Sequence, residues 1–199
     1  MRLIWVRHGE TEINRQNRYL GHSDVPLHAH GKTQALELAS RLLNIIELPK
    51  ALYTSDLLRC VQTAEPLSAG WQLPAMTVPA LRELSFGEWE LLTYDEIMQK
   101  DSERASRWYE DPYRQCPPQG ESLEKLGNRV DEWLSGILRD SEPTEAETVV
   151  IISHGGVIRW VQAAWVHQDP SAYWKMDGLK HGEALLMRWD GQRLIQDSL

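Results

Sequence analysis

Hydrophobic positions along the chain follow two alternating patterns. Short and nearly continuous apolar runs occupy residues 3–6, 51–54 and 148–153, as is typical of strands buried on both faces of a sheet. Between them, apolar residues recur at helical spacing over about 31–46 and 123–138. Strands alternating with helices predict an α/β protein with three α/β/α layers around a mainly parallel central sheet.

The ends of several elements carry local signals. Ser55 or Asp56 is predicted to cap the helix after the second strand, and Pro66 and Gly70 are predicted to end it. Residues 9–28 are polar and irregular, so we expect a long loop there. We also expect a strand at 75–82 and a helix at 156–167. Residues 183–189 and 193–197 are expected to form a β-hairpin whose turn is Asp190-Gly191.

One segment interrupts the alternation of strands and helices. Residues 84–120 start a helix at the capping box of Thr93 and Glu96 and end in Pro117-Pro118-Gln119-Gly120. We therefore expect a single domain over 1–199, with 84–120 inserted as a small cap over the substrate side of the site.

Composition narrows the possible partners. The net charge is −8, which argues against binding to nucleic acid. Cys60 and Cys116 are the only cysteines of the sequence and form no disulfide framework or four-ligand zinc site. The reducing cytoplasm is the expected location. We expect no signal peptide and no contact with a membrane, since no run of 18 apolar residues exists.

Two histidines occupy matching places after two strands. His8 follows the run 3–6 after Arg7, and His154 follows the run 148–153. The carboxyl ends of parallel strands form the ligand crevice of open α/β sheets. Arg59, in the helix after the second strand, would reach the same crevice, and arginine forks fit phosphate oxygens. The pattern indicates a phosphate site.

The residue types also indicate a chemistry. A neutral imidazole can attack phosphorus, and neighbouring arginines favour the neutral form of His8. Glu83 follows a candidate strand and could protonate a leaving oxygen. Cys60 is expected to be a small buried helix residue and not a nucleophile. The other five histidines have no metal-ligand spacing, and no functional role is expected for them: His22, His28, His30, His167 and His181.

Motifs spread over most of the chain carry a resemblance to a known family. The chain resembles the histidine phosphatase superfamily, also called phosphoglycerate mutase-like. The matching stretches are Arg7-His8-Gly9-Glu10-Thr11 with Asn14, Gly21-His22-Ser23-Asp24-Val25-Pro26-Leu27, Gly31-Lys32-Thr33-Gln34-Ala35, residues 53–64, Leu81-Arg82-Glu83-Leu84-Ser85-Phe86-Gly87-Glu88-Trp89-Glu90, Pro118-Gln119-Gly120-Glu121-Ser122, and Ser153-His154-Gly155-Gly156-Val157-Ile158-Arg159.

The resemblance implies a role for each matching residue. It implies that His8 is the nucleophile that forms a phosphohistidine and that Glu83 is the general acid, then the base for water. It implies that Arg7, Arg59 and His154 hold the phosphoryl oxygens. Substrate contacts are implied for Asn14, Gly21 and the backbone N–H of Gly155. It also implies that no metal or other cofactor is used, and that the partner is a small phosphorylated metabolite.

The chain departs from the family pattern at three positions. Leu91 and Gln119 stand where glycine is common, and Cys60 stands where alanine is common. None is expected to touch the phosphate pocket, so the departures bear on loop shape and substrate choice.

The segment 84–120 bears on the choice of substrate. It lacks a compact basic clamp for a second acidic group, and its aromatic residues suit a planar leaving group. It resembles the alpha-ribazole phosphatase branch, which implies alpha-ribazole 5′-phosphate of cobalamin biosynthesis as the substrate. A broad phosphatase of small metabolites, a phosphoglycerate mutase and a non-catalytic phospholigand-binding module stay open, as does the oligomeric state. The aromatic residues expected near the site are Trp89, Tyr94, Trp108, Tyr109 and Tyr113.

Overall fold

Six strands of the described residues form one sheet in the order β3-β2-β4-β1-β5-β6. The structure is a computed structural model, and it describes residues 1–139 and 147–198. The strands are β1 (Arg2–Arg7), β2 (Ala51–Thr54), β3 (Ala75–Thr77), β4 (Thr148–Ser153), β5 (Ala184–Trp189) and β6 (Leu194–Asp197).

The register of the two central strands places both site histidines side by side. β1 and β4 are parallel neighbours, and Arg7 pairs with Ser153 at the last step of the ladder. His8 and His154 follow these two residues directly, so both leave the sheet at its carboxyl edge. The expected convergence of the two histidines is confirmed.

Helices cover both faces of this sheet. The α-helices are α1 (Glu12–Arg15), α2 (Ala29–Ile45), α3 (Leu58–Trp71), α4 (Tyr94–Glu110), α5 (Leu123–Arg139) and α6 (Gly155–Val161). Short 3₁₀ helices lie at Pro79–Leu81, Gly87–Trp89 and Pro170–Lys175, and Gln162–Val166 is a π-helical turn. No described helix is long and apolar enough to cross a membrane.

Alternation along β1 separates two hydrophobic clusters. Leu3 and Trp5 pack with α5 and α6 on one face, whereas Ile4 and Val6 pack with α2 and α3 on the other. Successive side chains of a strand point to opposite faces, which explains why a continuous apolar run serves both clusters. The predicted α/β/α architecture with a mainly parallel sheet is confirmed, and β5 and β6 add antiparallel strands at one edge.

The segment 84–120 is more than a cap. Trp89, Ile97, Ala105 and Trp108 are buried in the same cluster as the face of the sheet that carries Trp5. Its helix α4 begins at the predicted capping box, with Thr93 accepting from the N–H of Glu96, and it kinks at Asp101. The segment therefore also builds one wall of the main core.

The predicted ends of α3 are wrong. Leu58 begins this helix, and its N–H donates to the carboxylate of Asp24, 2.7 Å away in the preceding loop. Pro66 lies inside the helix, which ends at Trp71. A long-range carboxylate replaces the expected local cap, and no local sequence signal announces such a contact.

Other boundaries also differ from the sequence pattern. The third strand stops at Thr77 and gives way to a 3₁₀ helix, because Pro79 removes a backbone donor and favours a turn. The loop 9–28 contains α1, and the helix expected at 156–167 begins at Gly155 and changes to π geometry at Gln162. The terminal hairpin is confirmed.

Two departures from the family pattern have a common backbone cause. Leu91 and Gln119 adopt φ of 64° and 56°, the left-handed region that glycine occupies without strain. The glycines they replace would suit this conformation.

The variant Gln119→Gly is therefore expected to stabilise the protein by about 0.5–1 kcal/mol, since the left-handed strain exceeds the extra chain entropy of glycine. Gln119 is exposed and contributes one surface hydrogen bond to Glu88. Urea unfolding would measure the change, with Gln119→Ala as the control that keeps Cβ. A Gly variant less stable than the Ala variant would contradict the strain argument.

Candidate active site

His8 is buried at the head of the crevice with one ring nitrogen available. Its ring is 4% exposed, and Nδ1 lies 2.7 Å from the carbonyl oxygen of Gly9. A carbonyl oxygen only accepts, so Nδ1 carries the proton and Nε2 keeps its lone pair. The His154 ring packs edge-on against it with 5.1 Å between centroids. Nε2 of His8 is thus the ring nitrogen whose lone pair is free to bind an electrophile.

Burial and nearby cations keep His8 neutral. Burial is the largest cause that lowers its pKa well below 6.5, followed by the nearby groups of Arg59, His181 and Arg7, of which the two arginines are charged. The pKa of His154 is also well below the usual value, from burial first and then Arg59 and His8. The expectation that the arginines favour neutral His8 is confirmed, although burial matters more.

Arginine donors converge beside the two histidines. Arg59 is fully buried and donates to the carbonyls of Gly21 at 2.6 Å and Ser23 at 3.1 Å. Arg7 donates to the carbonyl of Leu179 at 2.7 Å. Both guanidinium groups keep a buried Nε without a partner in the described part of the chain.

Unpaired buried donors are the main electrostatic feature of this crevice. Of the buried side-chain nitrogens that lack a partner among residues 1–139 and 147–198, four belong to this region: Nε of Arg7, Arg59 and Arg159, and Nε2 of His181. An unpaired buried donor costs free energy comparable to a lost hydrogen bond. An anionic ligand with several acceptor oxygens would satisfy this set.

Glu83 is fixed at the side of the crevice by four hydrogen bonds. Its carboxylate accepts from the N–H of Gly156 at 3.0 Å and of Leu84 at 2.9 Å. Its backbone carbonyl lies 3.0 Å from Nη2 of Arg129 and 2.9 Å from Nε2 of His22. The carboxyl group therefore stands at the N-terminus of α6, the helix that follows His154.

Three comparisons with known proteins agree on the family. The family model for the histidine phosphatase superfamily (branch 1) matches residues 3–197. The chain belongs to the histidine phosphatase superfamily. It is 34% identical over 174 residues to the adenosylcobalamin/alpha-ribazole phosphatase of Escherichia coli, covering 87% of this chain and 83% of that protein.

Other relatives differ in their named substrates. Phosphoserine phosphatase 1 of Hydrogenobacter thermophilus is 33% identical over 87% of this chain and 80% of its own length. The crystal structure of the alpha-ribazole phosphatase of Shigella flexneri superposes with a TM-score of 0.89 at 29% identity, covering 100% of this chain and 96% of that one. This chain is therefore a histidine phosphatase, a hydrolase of phosphate esters.

The other predicted contact residues of this phosphatase lie at different distances from the crevice. Gly155 lies against Arg7, whose Cζ would be 3.2 Å from an added Cβ. Gly21 holds Arg59 through its carbonyl, as described above. Asn14 belongs to the capping box of α1, where its Oδ1 accepts from the N–H and hydroxyl of Thr11. Its Nδ2 amide is the group that could donate to a phosphoryl oxygen.

Glu90 organises the loop that holds Arg59. Its carboxylate accepts from the N–H groups of Gly21, His22, Ser23 and Phe86 at 2.8–3.1 Å. A side chain on residue 21 would collide with this carboxylate, with Cβ 2.3 Å from Oε1. The sequence analysis assigned no role to Glu90, because its partners are four backbone N–H groups and any residue type can supply a backbone N–H.

An aromatic cavity of about 460 Å³ opens beyond Glu83. Trp108 and Tyr109 line it as expected, and the hydroxyls of Tyr19 and Tyr109 are hydrogen-bonded to each other. The sequence analysis missed Tyr19 and four further lining residues, which are Phe86, Arg159, Tyr173 and Trp174.

Three of the expected aromatic residues lie elsewhere. Trp89 is 1% exposed and packs edge-on against Trp108. Tyr94 contacts Tyr109 from outside, and Tyr113 stacks on Trp160. None of these three rings lines the cavity, so the expectation that they offer aromatic faces to the site is wrong.

Cys60 is closer to the site than expected. Its Sγ lies 3.4 Å from Nε2 of His154, and that nitrogen is also hydrogen-bonded to Oγ of Ser55 at 3.0 Å. The view that Cys60 stays away from the phosphate pocket is therefore wrong. Burial raises the pKa of its thiol to about 12, which supports the prediction that it is not a nucleophile.

His181, to which the sequence analysis assigned no role, lies beside His8. Its ring lies 5.3 Å from that of His8 between centroids. No clustered set of metal ligands occurs in the parts of the chain that the structure describes.

Acidification is expected to destabilise this phosphatase below about pH 6.5. Folded His8, His154 and His181 resist protonation, whereas the same histidines of the unfolded chain take up protons near pH 6.5. The unfolded state then binds more protons, so stability falls as pH falls. At about pH 5.5 the loss is about 1.4 kcal/mol for each histidine, or about 4 kcal/mol for the three.

Urea unfolding in phosphate-free buffer from about pH 7.5 to 5.5 would measure this loss. The variant His154→Gln should show about two-thirds of the dependence, and His167→Gln, at an exposed histidine, should match the parent protein. A parent curve that is flat over this range would contradict the assignment of neutral buried histidines.

Proposed function

We propose that this phosphatase acts through a phosphohistidine on His8, without a metal, and that its substrate is alpha-ribazole 5′-phosphate. One observation carries the mechanism. A neutral buried histidine with a free Nε2 lies among buried donors that have no partner in the described residues. This arrangement suits a phosphoryl group approached by a nitrogen nucleophile.

The first half-reaction breaks the ester bond. The lone pair of His8 Nε2 forms a bond to phosphorus, and the P–O bond to the alcohol breaks. The protonated carboxyl of Glu83 gives its proton to the leaving oxygen. Arg7, Arg59 and His154 stabilise the charge on the equatorial oxygens, as donors that are already in place.

The second half-reaction restores the enzyme. The Glu83 carboxylate takes a proton from a water molecule as the water oxygen attacks phosphorus, and the N–P bond breaks. Inorganic phosphate leaves, His8 regains its lone pair and Glu83 is protonated again. Asn14, Gly21 and the N–H of Gly155 are proposed to complete the contacts with substrate.

The cavity supports the choice of substrate. Aromatic walls from Tyr19, Phe86, Trp108 and Trp174 suit stacking with a planar base, and a benzimidazole nucleotide offers one. A volume of about 460 Å³ lies in the range of small-molecule sites. Relatives from Escherichia coli and Shigella flexneri carry alpha-ribazole phosphatase in their names.

Arg159 favours a second candidate. It lines the aromatic cavity, its Nε is buried, and none of the described residues pairs with it. A guanidinium there would suit a carboxylate on the leaving group, as in phosphoserine or 3-phosphoglycerate. A broader phosphatase of small metabolites, or a mutase, would use it in this way.

The remaining parts of the proposal rest on composition. We infer a single domain in the cytoplasm that acts on a small phosphorylated metabolite, without nucleic acid or membrane partners. The net charge of −8 and the low cysteine content support this.

Phosphate release from a panel of esters, in the presence of EDTA, tests the substrate. The panel holds alpha-ribazole 5′-phosphate, a nucleoside monophosphate, phosphoserine, 3-phosphoglycerate and p-nitrophenyl phosphate. We expect the highest kcat/KM for the ribazole ester. Preference for the carboxylate esters, lost in Arg159→Leu and kept in the exposed control Arg114→Leu, would select the second candidate.

A further inference from the structure

His181 is held against the end of β1 by its own turn. The N–H of Gly182 donates to the carbonyls of Arg7 at 3.1 Å and His8 at 3.3 Å. The backbone N–H of Arg7 in turn donates to the backbone carbonyl of Glu183. Gly182 adopts φ of 72°, which lets the chain turn here. These bonds place His181 at a fixed distance from the nucleophile.

The ring of His181 flanks His8 on a second side. Its centroid is 5.3 Å from that of His8, and the His154 ring is 5.1 Å away. Nε2 of His181 is buried and has no hydrogen-bond partner among the described residues. A buried ring nitrogen without a partner calls for a ligand in a folded protein.

The charges around His181 restrict what this ligand can be. Arg7, Arg59 and His28 are its electrostatic neighbours, and burial together with them lowers the pKa of His181 to about 3. The imidazole is therefore neutral and offers one N–H. Glu10 and Glu183 line the groove on one side of His181, but no described group accepts from its buried Nε2. Because Arg7 and Arg59 are its cationic neighbours on the side of the crevice, an incoming anion is the natural acceptor.

We propose that His181 is a further catalytic residue whose Nε2–H donates to an oxygen of the phosphoryl group during its transfer to His8. The inference deepens the proposed mechanism and rests on phosphorylation of His8. It adds a donor supplied by the turn before β5, from a histidine to which the sequence pattern assigned no role.

The test compares side chains that differ in the reach of their donor. His181→Leu removes the donor, His181→Asn places an amide short of Nε2, and His181→Gln places one near it. With p-nitrophenyl phosphate, kcat/KM and inhibition by vanadate are measured, with His167→Leu as the control at an exposed histidine. We expect both kcat/KM and vanadate affinity to fall on the order of 10²-fold in Leu and Asn, and Gln to recover most of each.

Two outcomes would overturn the proposal. Wild-type vanadate affinity in either the Leu or the Asn variant would remove His181 from the phosphoryl site. Equal losses in Leu, Asn and Gln would indicate that the ring acts by packing. These variants leave His8 in place, so their results test only the role of His181. The phosphohistidine mechanism itself would fail on a different result, namely turnover that survives the removal of His8.

Discussion

His8→Ala is expected to lower kcat/KM for every phosphate ester by at least about 10⁴-fold, the largest effect of any single substitution in this protein. The nucleophile is lost, and water has no equivalent path to the phosphorus. Arg7, Arg59 and His154 remain, so phosphate should still bind. Removal of one neutral ring that is 4% exposed leaves a small cavity and is expected to leave the fold intact.

Phosphate release from p-nitrophenyl phosphate with EDTA present measures this effect. Circular dichroism and phosphate binding by calorimetry establish that the variant is folded and retains its anion site. The control is His167→Ala, since His167 is exposed. Acid-labile, base-stable phosphate on the parent protein, absent from the variant, would identify the intermediate. Residual activity within tenfold of the parent would exclude His8 as the nucleophile.

Glu83→Gln is expected to slow esters with poor leaving groups by about 10²–10⁴-fold. An amide cannot give a proton to an alkoxide, whereas p-nitrophenolate leaves without one, so activated esters should be affected much less. Gln can still accept from Gly156 or Leu84 through its single carbonyl oxygen. Phosphate binding should therefore be preserved.

The comparison needs a series of esters with graded leaving-group pKa. A steeper dependence of kcat/KM on leaving-group pKa in Glu83→Gln supports general acid catalysis. Glu88→Gln, at an exposed carboxylate of the same segment, is the matched control. Equal losses on alkyl and p-nitrophenyl esters would exclude Glu83 as the acid and leave it a role in binding.

Much of the site could be predicted because its residues follow strands directly. His8 and His154 come one residue after β1 and β4, and the parallel register carries both to one edge. Arg59 was located through the helix that follows β2. These assignments needed only the strand pattern and the order of elements, and the proposed roles of the residues still await the experiments above.

Residues that reach the site from distant loops could not be predicted. His181 arrives through a turn tied to Arg7 and His8 by backbone hydrogen bonds. Glu90 acts on backbone N–H groups more than 60 residues away in sequence. Neither contact depends on a pattern of side chains that a single sequence displays.

The sequence by itself determined the α/β class, the central strands, the capping box of α4 and the residues at the carboxyl edge of the sheet. Hydrophobic periodicity reports local burial, and the end of a buried strand fixes where the next residue leaves the sheet. The tertiary structure alone decided which aromatic rings line the cavity and that Asp24 caps α3. It also decided that Arg159 and His181 keep unpaired buried nitrogens, because pairing depends on groups far apart in the chain.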